Sequence, residues 1–148
     1  MTRILFVCHG NICRSPMAEF VMKDLVHKAG RDDEFYIESA ATSPEELGNP
    51  VYPPARRKLA EHGIMPVGKT ARQMTARDYS RFDIIIGMDD WNMRNMRAIC
   101  GGDPEQKMHK ILDFTADYGN VDDPWYTGNF EQTWQEILAG CTAILEQF

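Results

Sequence analysis

Apolar residues recur along this chain with two different periods, and the changes of period mark the elements. Ile4-Leu5-Phe6-Val7 is a short unbroken apolar run and predicts a buried strand over Ile4–Cys8. From Ser15 to about Ala29 the period lengthens. Met17, Phe20, Val21 and Leu25 fall on one helical face, and Gly30 stops the helix. Phe35–Ser39 predicts a second strand. Ala40 to Pro50, with Ser43-Pro44 and Gly48-Asn49-Pro50, predicts a loop. Pro53-Pro54 opens a helix that closes at His62-Gly63. A short helix capped by Thr75 is expected up to Arg81, then a central strand over Phe82–Met88. A helix over Asp89–Ile99 follows, ended by Gly101-Gly102, and then a fourth strand over Met108–Leu112. Phe130, Trp134, Ile137, Leu138, Cys141, Ile144, Leu145 and Phe148 recur at three- and four-residue spacing and predict a last helix with a core-facing stripe.

Strands alternating with helices imply an α/β fold, a parallel sheet with helices on both faces. Ligands of such sheets bind outside the carboxyl ends of the strands. Cys8, Ser39 and Asp89 stand at three such ends, so one crevice can gather them.

The chemistry concentrates in the turn after the first strand, Cys8-His9-Gly10-Asn11-Ile12-Cys13-Arg14-Ser15-Pro16. Backbone N–H groups of a loop that runs into a helix N-terminus form a concave anion site. The same field favours a thiolate, and thiols in such places titrate at roughly 3.5–7.5 instead of about 8.5. A thiolate under an oxyanion cradle suggests phosphoryl transfer to sulfur. Arg14 adds a planar fork that grips two phosphoryl oxygens. Gly10 is expected at positive φ, and Asn11 tolerates the left-handed region and braces the loop. Ser15 is expected to cap the helix and to donate to the sulfur, and Pro16 fits the first helical turn. A leaving alkoxide or phenoxide also needs a proton. The long segment Asp113–Asn129 contains Asp122-Asp123-Pro124-Trp125-Tyr126, and either aspartate can supply one. The proline restrains the residue before it to extended backbone, a modest reason to favour Asp123.

Composition removes several alternatives. The 148 residues suit one domain over 1–148, and 43% apolar with 26% charged residues is ordinary for a globular protein. A net charge of −6 argues against non-specific nucleic-acid binding. No apolar run approaches membrane-spanning length, so a cytoplasmic protein is expected. The four cysteines (Cys8, Cys13, Cys100, Cys141) and the histidines show no zinc spacing, and no metal is expected. Gly63-Ile64-Met65-Pro66-Val67-Gly68-Lys69-Thr70 matches the Walker A pattern of nucleotide hydrolases, but it follows a predicted helix instead of a strand.

Val7-Cys8-His9-Gly10-Asn11-Ile12-Cys13-Arg14-Ser15-Pro16, with Ser39-Ala40-Ala41-Thr42, Ala71-Arg72-Gln73 and Asp123-Pro124, resembles the low-molecular-weight protein tyrosine phosphatases along nearly the whole chain. The resemblance implies a three-layer domain with a four-stranded parallel sheet ordered 2-1-3-4. It implies hydrolysis of phosphotyrosine in proteins through a phosphocysteine on Cys8, with Arg14 on the phosphate and Asp123 as general acid and base. Gly10, Asn11, Ile12, Cys13, Arg14 and Ser15 would hold the phosphate. His9, Ile12, Trp125 and Tyr126 would wall the pocket, and Asn11, Ser15 and Ser39 would support the loop. No cofactor is implied. The implied partners are tyrosine-phosphorylated proteins and inorganic phosphate or another oxyanion, with the protein a monomer or weak dimer. Three departures stand out. His9 replaces a usual apolar residue, Trp125 a frequent tyrosine, and Lys69, for which pairing with Asp89 is conceivable, a frequent histidine. Relatives acting on phosphoarginine tend to carry threonine where Ile12 stands, so Ile12 favours a phenyl ring. An arsenate reductase on the same fold would need further cysteines near Cys8, and Cys100 and Cys141 stand alone on predicted helices. Cys13 is placed to capture an oxidised Cys8 as a disulfide.

Overall fold

β1 (Thr2–Cys8) is the axis of the molecule. Ile4 to Val7 have no exposed surface, because β1 lies between β2 (Phe35–Ala41) and β3 (Ile84–Gly87) and is covered on both faces. β4 (Met108–Lys110) pairs with β3. Every pairing is parallel and the order is β2-β1-β3-β4, as the alternation and the resemblance lead one to expect. The computed structural model describes residues 1–148. Its six helices are α1 (Arg14–Lys28), α2 (Pro53–Glu61), α3 (Asp78–Arg81), α4 (Asp90–Cys100), α5 (Pro124–Thr127) and α6 (Phe130–Gln147).

The two-residue period of a strand divides β1 between two cores. Ile4, Phe6 and Cys8 join Ile84 and Ile86, together with Met17 and Val21 of α1, Leu59 of α2 and Ile137 and Cys141 of α6. Leu5 and Val7 join Ile85, Met74 and Phe82, together with Met93 and Met96 of α4. At Gly87 β3 passes close against α4. A Cβ there would lie 2.9 Å from Met96 Sδ and 3.2 Å from Asn92 Cβ. The loop after β1 has a small cluster of its own, in which Ile12 and Cys13 pack with Ala71.

Several expectations change. The helix from Thr75 forms only over Asp78–Arg81. Thr75 does not cap it; the buried Asp78 carboxylate accepts the Thr75 N–H at 2.8 Å and holds Arg72 at 3.1 and 3.2 Å, which a hydroxyl cannot match. β3 is shorter than the apolar run, and β4 stops at Lys110, after which Ile111–Phe114 turns into a 3-10 helix. The stripe of α6 reaches the core through Leu145, but Phe148 lies past the helix and is 45% exposed. The Walker-like segment is a loop. No helix follows it, Thr70 bridges back to Pro50, and Lys69 Nζ donates to the Ser39 carbonyl at 2.8 Å. Its lysine is therefore spent on the protein and no helix N-terminus is there to receive a phosphate. No helix is long and apolar enough to cross a membrane.

Candidate active site

The turn from β1 into α1 wraps the Cys8 sulfur in donors. Asn11 N–H lies 3.3 Å and Ser15 N–H 3.4 Å from Sγ, and the Ser15 hydroxyl lies 3.0 Å away. Ser15 is the second residue of α1, so its N–H is one of the orphan donors that open any helix. No side chain caps this helix, and the Ser15 hydroxyl faces the sulfur and Ala40 O instead of an amide of the first turn. The sulfur sits where a capping oxygen would. A thiolate there gains the favourable end of the helix dipole.

The loop is held in this shape by Asn11. It takes φ 58°, while Gly10 is not left-handed; the loop needs one residue there, and the asparagine is it. Its strain of about 1 kcal/mol is offset by the side chain. Nδ2 donates to Ser15 Oγ at 2.7 Å and to Ser39 Oγ at 3.0 Å, and Oδ1 accepts the Arg72 N–H at 3.2 Å. Ser39 in turn donates to Glu19 Oε1 at 2.6 Å, and Glu19 Oε2 accepts from Lys23 at 2.6 Å. Lys69 Nζ lies 3.6 Å from Glu19, not against Asp89. Burial lowers the Lys69 pKa, and the attraction of Glu19 only partly resists it. A chain of bonds thus runs from the sulfur through Ser15, Asn11 and Ser39 to a buried carboxylate–ammonium pair.

Arg14 is nearly inaccessible and is gripped from behind. Nη1 donates to Asp89 Oδ2 at 2.7 Å and to the Val121 carbonyl at 2.8 Å. Nη2 lies 3.4 Å from Asp123 Oδ2. Burial works against the cation, but the charge on Cys8, the Asp89 bond and the charge of Asp123 outweigh it and hold the pKa above the arginine value. Asp89 also accepts the Asn92 N–H at 2.7 Å as the cap of α4. Val121 N–H donates to Met88 O at 2.9 Å, pinning the Asp122–Tyr126 segment to the end of β3. Asp123 caps α5, with Oδ1 accepting the Trp125 N–H at 3.0 Å. Asp122 is exposed.

One pocket is lined by Cys8, His9, Ile12, Cys13, Arg14 and Asp123, with Trp125 and Tyr126 also on it. Trp125 and Tyr126 are 51% and 82% exposed, and the Trp125 ring lies 4.8 Å from that of Tyr52. Burial and the charge of Cys8 push the Cys13 thiol far up, so it is a protonated neighbour. Cys141 is buried in the core and neither it nor Cys100 lines the pocket, where Cys13 is the one thiol beside Cys8. Asp89 was legible as a strand end, but its cap of α4 and its bond to Arg14 were not. Glu45 and Glu46 also line the pocket and carried no signal in the sequence.

Comparison with known proteins identifies the family. Residues 3–148 match the family model for low molecular weight phosphotyrosine protein phosphatase. The low molecular weight protein-tyrosine-phosphatase YfkJ of Bacillus subtilis is 40% identical over 147 residues, covering 98% of this chain and 94% of the relative. The crystal structure of YfkJ superposes with a TM-score of 0.96 at 39% identity, covering 99% of this chain and 94% of that one. A low molecular weight protein tyrosine phosphatase from Streptococcus pyogenes superposes with a TM-score of 0.90 at 40% identity, covering 100% and 93%. The loop, the strand order and a match along almost the whole length converge: this chain belongs to the low molecular weight phosphotyrosine protein phosphatase family.

Proposed function

We propose that the domain spanning 1–148 hydrolyses phosphotyrosine in proteins through a phosphocysteine formed on Cys8. As a family member the protein is a low molecular weight protein-tyrosine phosphatase; the residue roles are our reading. The observation that carries it is the sulfur at the floor of a loop with three donors aimed at it, and a carboxylate on the same pocket.

In the first step the Cys8 thiolate attacks phosphorus. An S–P bond forms and the bond from phosphorus to the tyrosine oxygen breaks. Asp123 gives its proton to that oxygen, and the phenol leaves. The loop amides and Arg14 hold the three equatorial oxygens, with Asp89 and Val121 fixing the guanidinium plane. In the second step Asp123, now a carboxylate, takes a proton from water. The water oxygen bonds to phosphorus, the S–P bond breaks, and inorganic phosphate leaves. Ser15 donates to the departing sulfur. Ile12 and Trp125 offer apolar surface to the phenyl ring, which suits tyrosine better than a guanidinium.

The test measures turnover of phosphotyrosine, phosphoserine and phosphoarginine peptides without added metal, with mass spectrometry of quenched enzyme. Phosphotyrosine should be preferred, a phosphoryl group should appear on Cys8, and Cys8→Ser should be inactive. Turnover by Cys8→Ser, or preference for phosphoarginine, would overturn the reading.

A further inference from the structure

Two carboxylates on the pocket have no part in that mechanism, Glu45 and Glu46. Both belong to the loop after β2, and backbone bonds tie this loop to the phosphate loop. Thr42 N–H donates to the Cys8 carbonyl at 2.9 Å and Ser43 N–H to the His9 carbonyl at 3.1 Å. The Ser43 hydroxyl donates to the same His9 carbonyl at 3.0 Å. The two glutamates therefore keep a fixed place relative to the sulfur.

Their side chains are held as well. His9 Nε2 lies 2.9 Å from Glu45 Oε2, and Asn49 Nδ2 donates to Glu46 Oε2 at 2.6 Å. In each carboxylate the other oxygen has no partner in the protein. The Glu45 side chain is 66% exposed, so its free oxygen faces solvent at the mouth.

Charge accounting gives these oxygens a purpose. The phosphoryl group is matched by the amides and Arg14 at the floor. The remaining ionisable groups on the lining, apart from the thiols and Tyr126, are His9 and the carboxylates Glu45, Glu46 and Asp123. The mouth is then an acidic rim around a site whose floor binds an anion. A peptide with acidic residues beside its phosphotyrosine meets like charge there, and one with a basic residue meets a held acceptor.

We propose that Glu45, positioned by His9 and reinforced by Glu46, is a specificity-determining residue that favours phosphotyrosine peptides with lysine or arginine beside the phosphotyrosine. This rests on the phosphatase reading above and deepens it. Long basic side chains reach the rim with their charge while the phenyl ring occupies the pocket. The attraction is exposed, so it is modest and weakens with salt.

The experiment compares kcat/KM for two phosphotyrosine peptides that differ only in an arginine or a glutamate beside the phosphotyrosine. Para-nitrophenyl phosphate, which has no flanking residue, is measured alongside. Wild type should prefer the arginine peptide by about 2- to 5-fold at low ionic strength. The preference should shrink near 1 M salt, where the screening length is about 3 Å. Glu45→Gln should narrow it through KM. His9→Leu should narrow it too, whereas His9→Gln, which keeps an N–H for the carboxylate, should retain more of it. Equal handling of the two peptides by wild type, or an unchanged ratio in the Glu45→Gln/Glu46→Gln double variant, overturns the assignment. A wild type that fails on para-nitrophenyl phosphate overturns the phosphatase reading itself, a separate failure.

Discussion

Replacing Asp123 by asparagine separates two jobs that one side chain performs. Oδ1 accepts the Trp125 N–H at 3.0 Å and starts α5, while Oδ2 lies 3.4 Å from Arg14 in the pocket. Asparagine caps a helix about as well as aspartate, so Asp123→Asn keeps the turn while removing the transferable proton and the negative charge beside Arg14. The loss should be about 10²–10⁴ in kcat/KM, equivalent to about 2.7–5.4 kcal/mol of barrier. It should depend on the leaving group. Phenyl phosphate, whose phenoxide needs the proton, should suffer more than para-nitrophenyl phosphate, whose anion leaves readily. Asp123→Ala should lose the same activity and in addition about 1 kcal/mol of stability with the cap. Asp122→Asn is the control, because Asp122 is exposed and makes no side-chain bond to Arg14. Steady-state kinetics on both substrates, with thermal unfolding, decides the matter. Greater damage from Asp122→Asn, or a loss that ignores the leaving group, would refute the assignment of the acid.

Three further outcomes follow from the same geometry. Ser15→Ala removes a hydroxyl 3.0 Å from the sulfur and the acceptor for Asn11, worth about 1.5–3 kcal/mol to a charged partner. The second step should slow by about 10-fold or more, with phosphocysteine accumulating in rapid-quench mass spectrometry. Lys69 is held below 10.5 chiefly by burial, so near that value the unfolded chain binds the proton more strongly than the folded one. Stability should therefore rise with pH in the window from the lowered Lys69 pKa up to its ordinary value, and Lys69→Met should lack this rise in chemical unfolding near neutral pH and near about pH 10. Cys13 shares the pocket with Cys8 as a buried, protonated thiol. After peroxide treatment, thiol reductant should restore the wild type and fail to restore Cys13→Ser fully; full recovery of the variant would dismiss Cys13 as a shield.

What the chain says by itself is local. The apolar run Ile4–Val7, the helical face beginning at Met17 and the polar turn between them span a few turns of backbone, so their period is written in consecutive residues. The same holds for α6 and for the helix that follows Asp89. The loop from Cys8 to Ser15 was legible because its chemistry needs neighbours in sequence, as an anion cradle is a turn plus the start of a helix. The Asp-Pro pair at Asp123 drew attention, but its choice over Asp122 leaned on resemblance. The strand order came from resemblance as well, because periodicity says that a strand is buried and not beside which partner.

Only the tertiary structure decided which distant groups hold that loop. Asp89 reaches Arg14, Val121 closes the other side of the same nitrogen, and Lys69 turns to Ser39 and Glu19 instead of to Asp89. Glu45 and Glu46 arrive at the mouth because the loop after β2 returns over the end of β1. Such pairings join residues far apart in the chain. Their distances are set by parallel crossovers and by the two cores beneath the sheet, and no repeat of polar and apolar positions records them. Composition and local pattern could name the groups able to act on a phosphate; packing determined how those groups were aimed.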